Sequence, residues 1–232
     1  MKVEIWSDFA CPFCYIGKRN FEKGLKEFGK EVEIEYRSFE LDPSAPTQYD
    51  QTMDEILAEK YGMTVEKAKS MNDQVSAQAK TVGLDYHFDT MVPTNTFDAH
   101  RLLQFAKTKG TSESVKEALL YSYFTESKNL SDHETLATIA EANGLDKTET
   151  LEMLASDAFA TNVRDDEQTG ASLGIQGVPF FVINEKYGVS GAQPATSFTE
   201  VLNKVWKEEN PLTMLNKEDS EDQCCSGGSC NC

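Results

Sequence analysis

Ser7-Asp8-Phe9-Ala10-Cys11-Pro12-Phe13-Cys14-Tyr15-Ile16-Gly17-Lys18-Arg19 is the stretch of this 232-residue chain whose pattern decides its fold. Upstream of the two cysteines, Val3 and Ile5 alternate with polar neighbours across residues 2–9, as a strand does. Downstream, Phe13, Ile16, Phe21, Leu25 and Phe28 recur at helical spacing, Pro12 stands where a first helical turn tolerates it, and Gly29 is a stop signal. Val32, Ile34, Tyr36 and Ser38 then alternate with Glu33, Glu35 and Arg37. The sum is a strand, a helix and a second strand, with a crossover expected to be parallel and right-handed.

The cysteines fall at the strand-to-helix junction. Cys11 would lie at the positive end of the helix dipole, where a thiolate is favoured. The spacing carries Cys14 about one turn further, within disulfide reach and away from solvent. Cys11 is therefore the expected attacking thiolate and Cys14 the resolving thiol. A zinc half-site is the competing reading, but it needs a second cysteine pair that only the C-terminal segment supplies.

Strand signals vanish between about residues 50 and 173, and helical spacings replace them: Met53, Ile56, Leu57; Met71, Val75, Ala79, Val82; Leu102, Leu103, Ala106. Six or so helices fit. Ser131 with Glu134 reads as a capping box, and Gly62, Gly83, Gly110 and Gly144 fall where helices should end. Residues 178–183 form a short apolar run suited to a buried strand, residues 184–187 a turn, residues 188–190 a short partner strand, and residues 195–207 a last helix. The expected division is 1–42 and 156–208 as two parts of one α/β unit, 43–155 as an inserted all-helical domain, and 209–232 as a flexible acidic tail.

A formal net charge of −17 opposes binding to phosphate backbones and anionic lipid, so neither nucleic acid nor membrane is an expected partner. Lys18, Arg19, Lys23 and Lys26 make only a modest basic patch. No apolar stretch approaches the roughly 20 residues of a membrane span, and the first nine residues lack a secretory signal pattern, so a cytoplasmic location is expected. Four of the six cysteines, Cys224, Cys225, Cys230 and Cys232, crowd the last nine residues. Such a cluster suits either a soft or borderline metal ion or a second redox pair. A flexible linker from residue 210 to 224 would span roughly 20 Å, enough to reach the first pair.

The segment Ser7 to Arg19, with Asn95, Thr96, Ala99, His100, Arg101 and with Gly177, Val178, Pro179, Phe180, Phe181, resembles the FrnE-like branch of the DsbA-type thiol-disulfide oxidoreductases over about residues 2–208. The resemblance implies a thioredoxin fold with a large all-helical domain inserted after the second strand. It also implies a cis Pro179 facing the cysteines, with the Val178 backbone turned toward an incoming peptide. Pro12 and Phe13 would border the sulfurs, and His100 would belong to helices that roof the substrate site. The redox-active disulfide would be the sole redox group, and disulfide-containing proteins or low-molecular-weight thiols the substrates. Some FrnE-like proteins carry a further cysteine pair near the C-terminus, for which Cys225 and Cys230 are the matching residues. Kappa-class transferases and 2-hydroxychromene-2-carboxylate isomerases share this fold but usually carry serine where Cys11 stands, which makes glutathione-dependent isomerisation or transfer the rival reading. Of the remaining candidates, Asp8 could accept a proton near the pair, Trp6 would pack or form a rim, and His87 and His133 read as surface residues.

Overall fold

Residues 1–212 are described by a computed structural model. They run as β1 (Lys2–Ser7), α1 (Pro12–Phe28), β2 (Glu33–Ser38), α2 (Met53–Tyr61), α3 (Val65–Lys80), α4 (Phe97–Lys109), α5 (Ser112–Phe124), α6 (His133–Ala142), α7 (Lys147–Leu154), α8 (Ala160–Ser172), β3 (Phe180–Ile183), β4 (Tyr187–Ser190) and α9 (Ala195–Glu209). The four strands make one sheet in the order β2-β1-β3-β4. β1 and β2 are parallel, with Lys2 opposite Glu33 and Ser7 opposite Ser38. β3 runs antiparallel to β1, and β4 antiparallel to β3. This is an α/β thioredoxin fold with helices α2 to α7 inserted after β2.

A central strand covered on both faces needs side chains that can be buried in both directions. Val3 and Ile5 point to one face, into a core shared with Phe21 of α1 and Phe181, Phe198 and Leu202 around α9. Phe21, Phe181 and Phe198 meet as tilted or edge-on rings 4.7 to 5.4 Å apart. Trp6 and Val182 point to the opposite face. There the fully buried Trp6 indole donates to the Asp166 carbonyl of α8 at 2.9 Å. Trp6 is thus an interior anchor and forms no rim. The approach is close because residue 170 of α8 is glycine: a Cβ there would stand 2.8 Å from Trp6 Nε1.

Beside Trp6, Arg37 of β2 donates to Glu4 and to Asp166, each at 2.9 Å. Asp166 also accepts from the Ser38 amide at 2.9 Å and from Gln104 of α4 at 2.6 Å. Buried charges are costly unless each finds partners. Here one carboxylate joins β2, α4 and α8, so the inserted helices and the sheet are held through a shared polar centre. Among the inserted helices, α2 packs on α3, α4 on α5, and α6 on α7.

Three local expectations are corrected. β1 ends at Ser7, because Asp8 begins a turn. The cap of α6 is Asp132, whose carboxylate accepts from the Thr135 amide at 2.8 Å, while the Ser131 hydroxyl donates to the Asn95 carbonyl at 2.9 Å. Half of the basic patch is neutralised: Lys18 is buried among Glu22, Glu113 and Glu117, and Arg19 pairs with Glu22 and Glu117, while Lys23 and Lys26 stay exposed. Gly62 and Gly110 do end their helices in the left-handed conformation.

Gly170→Val would force a branched side chain against a tryptophan pinned by its own hydrogen bond. The expected cost is about 1–3 kcal/mol. It should appear as a lower urea midpoint at unchanged m-value, and an unaltered midpoint would show that α8 does not constrain Trp6.

Candidate active site

The turn between β1 and α1 is held by Asp8. The Cys11 amide donates to the Asp8 carbonyl at 3.3 Å, and the Ala10 amide donates to Asp8 Oδ1 at 3.3 Å. Cys11 then caps α1 in extended conformation (φ −92°, ψ 112°), Pro12 occupies the first helical turn, and that turn contains no acidic residue. The helix N-terminus accordingly presents its positive end to the Cys11 sulfur with no competing carboxylate in its first turn.

Cys11 is 5% exposed and Cys14 3%, and both are free thiols. Cys11 Sγ donates to the Val178 carbonyl at 3.5 Å. The Val178–Pro179 peptide is cis. Gly17 lies under Pro179, where a Cβ would stand 2.9 Å from Pro179 Cγ, so glycine is what lets this loop approach α1. Cys14 Sγ accepts the Asp8 amide at 3.4 Å. Burial raises the Cys14 thiol pKa well above its usual value, as do the hydrogen bond and charge of Cys11, while the Lys116 charge and the Asp8 amide pull it down. Cys14 therefore keeps its proton at neutral pH. Phe13, between the cysteines, is 40% exposed and forms the rim. The Pro12 carbonyl accepts from the Tyr86 hydroxyl at 2.7 Å, which ties the motif to the segment after α3.

The Asp8 carboxylate is buried, and its oxygens are occupied. Oδ1 accepts from Thr96 Oγ1 at 2.8 Å and lies 3.3 Å from His100 Nε2, and Oδ2 accepts from the Leu41 amide at 2.8 Å. Burial alone would push its pKa up. The His100 hydrogen bond and charge, the Leu41 amide and the Thr96 hydroxyl outweigh it, and the net direction is down. His100 is 0% exposed, packed on Phe9 with ring centroids 4.8 Å apart. It is not a substrate-contacting residue as the sequence suggested, because α4 directs it inward onto Asp8.

A cavity of about 360 Å³ opens beside the motif, with Cys11 and Phe13 on one wall and Met53, Ile56, Met71 and Tyr123 among its apolar lining. A larger cleft of about 680 Å³ along α9 is lined by polar residues including Glu27, Thr196, Lys204 and Lys207 and is far from this chemistry in character. His87 pairs with Asp85 and His133 with Asp98 at the surface. Among the described residues no group of three or more His, Cys, Asp or Glu could hold a metal. Cys224, Cys225, Cys230 and Cys232 lie outside the described residues. Sequence reasoning missed Gly17, Tyr86 and Lys116. Lys116 alone left a signal, as a lysine in the apolar stripe with Leu119, Leu120 and Tyr123.

A family model for the DSBA-like thioredoxin domain matches residues 2–203. A Streptomyces coelicolor structure described as a probable DsbA oxidoreductase, SCO1869, is 43% identical, with 98% of this chain and 100% of that one covered at a TM-score of 0.87. The Bacillus subtilis protein YwbO is 27% identical over 89% of this chain and 98% of its own length. Two solved structures share the fold at lower identity. One is a 2-hydroxychromene-2-carboxylate isomerase (14%, TM-score 0.70, covering 92% and 100% of the two chains). The other is the cytosolic disulfide reductase DsbM of Pseudomonas aeruginosa (13%, TM-score 0.63, covering 90% and 100%). Among the described residues no helix is long and apolar enough to cross a membrane.

Because Asp8 titrates lower in the folded chain than in the unfolded one, its stabilising effect is present above its unfolded pKa of about 4 and is lost as pH falls through the folded value. Asp8→Asn should therefore lower stability at neutral pH and flatten the acid limb of the stability profile, measured by urea unfolding at a series of pH values. Parallel profiles for the two proteins would show that the Asp8 charge contributes nothing to the turn.

Proposed function

The chain belongs to the DSBA-like thioredoxin-domain family of thiol-disulfide oxidoreductases, and from that premise we propose that Cys11 and Cys14 are its redox centre, of the FrnE-like kind, acting in the cytoplasm on protein disulfides or low-molecular-weight thiols. The observation that carries the assignment is the unequal placement of the two sulfurs. Cys11 caps α1 and borders the cavity, whereas Cys14 is buried behind it and holds its proton.

In the exchange, Cys11 thiolate attacks one sulfur of a substrate disulfide. A Cys11–substrate disulfide forms and the other substrate sulfur leaves as a thiolate. Cys14 then loses its proton and attacks Cys11 Sγ, so that the Cys11–Cys14 disulfide forms and the second substrate thiolate departs. The substrate gains two electrons and the enzyme loses two. A low-molecular-weight thiol restores the dithiol, and running the steps backward oxidises a dithiol substrate. The Val178 carbonyl beside Cys11 and the rim formed by Pro12 and Phe13 suit an extended peptide or a small disulfide. Cys225 and Cys230 would relay electrons from the C-terminal segment. Metal binding by Cys224, Cys225, Cys230 and Cys232 is the alternative use of that cluster.

Glutathione-dependent isomerisation or transfer is the second reading, favoured by the shared fold of the isomerase and by the apolar cavity. The paired cysteine speaks against it, because a conjugating site needs no resolving thiol.

Cys14→Ser should accumulate mixed disulfides with substrate or glutathione, seen by mass spectrometry under non-reducing conditions, and lose disulfide reductase activity by a factor of about 10² or more. Full activity in that variant toward a small aromatic substrate with added glutathione, without trapped adducts, would replace the exchange reading with the second one.

A further inference from the structure

Lys116 of α5 is 1% exposed, and its surroundings are unusual for a buried cation. Its Nζ donates to Ser7 Oγ at 2.5 Å and otherwise faces the rings of Phe9, 4.0 Å from the centroid, and Tyr36, 5.6 Å from the centroid. Among the described residues it forms no ion pair within 4.0 Å, whereas Lys18 meets three carboxylates. A buried charge without a partner is strongly disfavoured, and a methionine would fill this apolar stripe at lower cost. A packing role alone does not account for lysine here.

The groups that act on it come from every element around it. From α1, Cys14 favours its charged form and Lys18 opposes it; from the turn after β1, Asp8 favours it; from α4, Lys107 opposes it; from β2 it meets the Tyr36 ring; and its own helix carries Glu113 and Glu117, which are engaged by Lys18. Desolvation dominates and brings the ammonium down to about 8. Asp8 is already engaged by Thr96, His100 and the Leu41 amide. Ser7, which holds the ammonium, directly precedes Asp8, whose amide donates to Cys14 Sγ. The anion left for Lys116 to serve is the thiolate of Cys14.

We propose that Lys116 is a positioning residue for the resolving step, its ammonium, anchored on Ser7, supplying the positive charge that lets the buried Cys14 thiol ionise. This rests on the exchange reading above. When Cys11 carries substrate, Cys14 releases its proton to solvent and its thiolate is stabilised by Lys116. The thiolate electron pair forms the bond to Cys11 Sγ, the Cys11–substrate bond breaks, and the departing thiolate takes a proton from solvent.

The test uses full-length protein in which Cys224, Cys225, Cys230 and Cys232 are replaced by serine, mixed in a stopped-flow instrument with the aromatic disulfide 5,5′-dithiobis(2-nitrobenzoate). The first release of coloured thiolate reports attack by Cys11 and the second reports resolution by Cys14. In Lys116→Met the second phase should slow about tenfold at neutral pH, and its pH midpoint should rise by about one unit, with the first phase little changed. Thermal stability should be equal or higher, since an unpaired buried charge is gone. A protein with Lys116 that shows no second release would overturn the exchange reading itself. A second phase with the same rate and pH midpoint in both proteins would overturn only the role of Lys116. If Lys116→Met does not fold, Lys116→Gln and Lys116→Arg are compared in the same assay. A second phase slowed in the glutamine variant and restored by the charge of the arginine variant supports the pairing, and equal second phases in the two variants reject it.

Discussion

The buried carboxylate of Asp8 holds the site together. A charge at that depth is tolerable only if its lone pairs are filled. Here they are filled from three directions: Thr96 just before α4 and His100 in it, the Leu41 amide after β2, and the Ala10 amide in the turn itself. The same residue gives its backbone carbonyl to the Cys11 amide and its own amide to the Cys14 sulfur. Strand end, helix start and inserted helices are therefore located by one residue, through its side chain and its backbone together.

From that placement comes the division of labour between two chemically identical groups. Cys11 is at the helix end, facing the Val178 carbonyl and the cavity. Cys14 is a turn further in, where desolvation holds its proton on. The inserted helices matter because they exclude water from both sulfurs, leaving neither more than 5% exposed. Access is then through the cavity beside Phe13, whose wall includes Met53 and Met71, side chains that adapt to varied apolar shapes.

The strand-helix-strand start, the helical block and the closing hairpin were readable in the sequence because each rests on a local period or a turn residue. The cysteine pair was readable for the same reason, since both sulfurs share one junction. What depended on residues distant in sequence was not. His100 carries no mark that distinguishes a ring turned toward substrate from one turned onto Asp8, 92 positions earlier. Lys18 and Arg19 looked like a basic patch until α5 brought Glu113 and Glu117 against them. Ser131 and Asp132 are adjacent cap-forming residues, and the choice between them was made by the Asn95 carbonyl, which takes the serine hydroxyl. The tail cysteines lie beyond the described residues and keep only their sequence-based reading.

Lys116 also bears on the direction in which such a couple runs. In the disulfide form neither sulfur can carry a charge, whereas in the dithiol form the Cys14 thiol can ionise within the field of the buried ammonium. A fixed positive charge in a dry interior therefore stabilises the reduced, ionised pair relative to the disulfide. Stabilising the reduced form makes a couple more oxidising. The helix N-terminus at Cys11 acts with the same sign, so two features of different origin, one built into β1 and α1 and one contributed by α5, bias the pair the same way. The inserted helices thus do more than cover the thioredoxin fold, because they bring a charge to its redox centre that β1 and α1 alone do not supply.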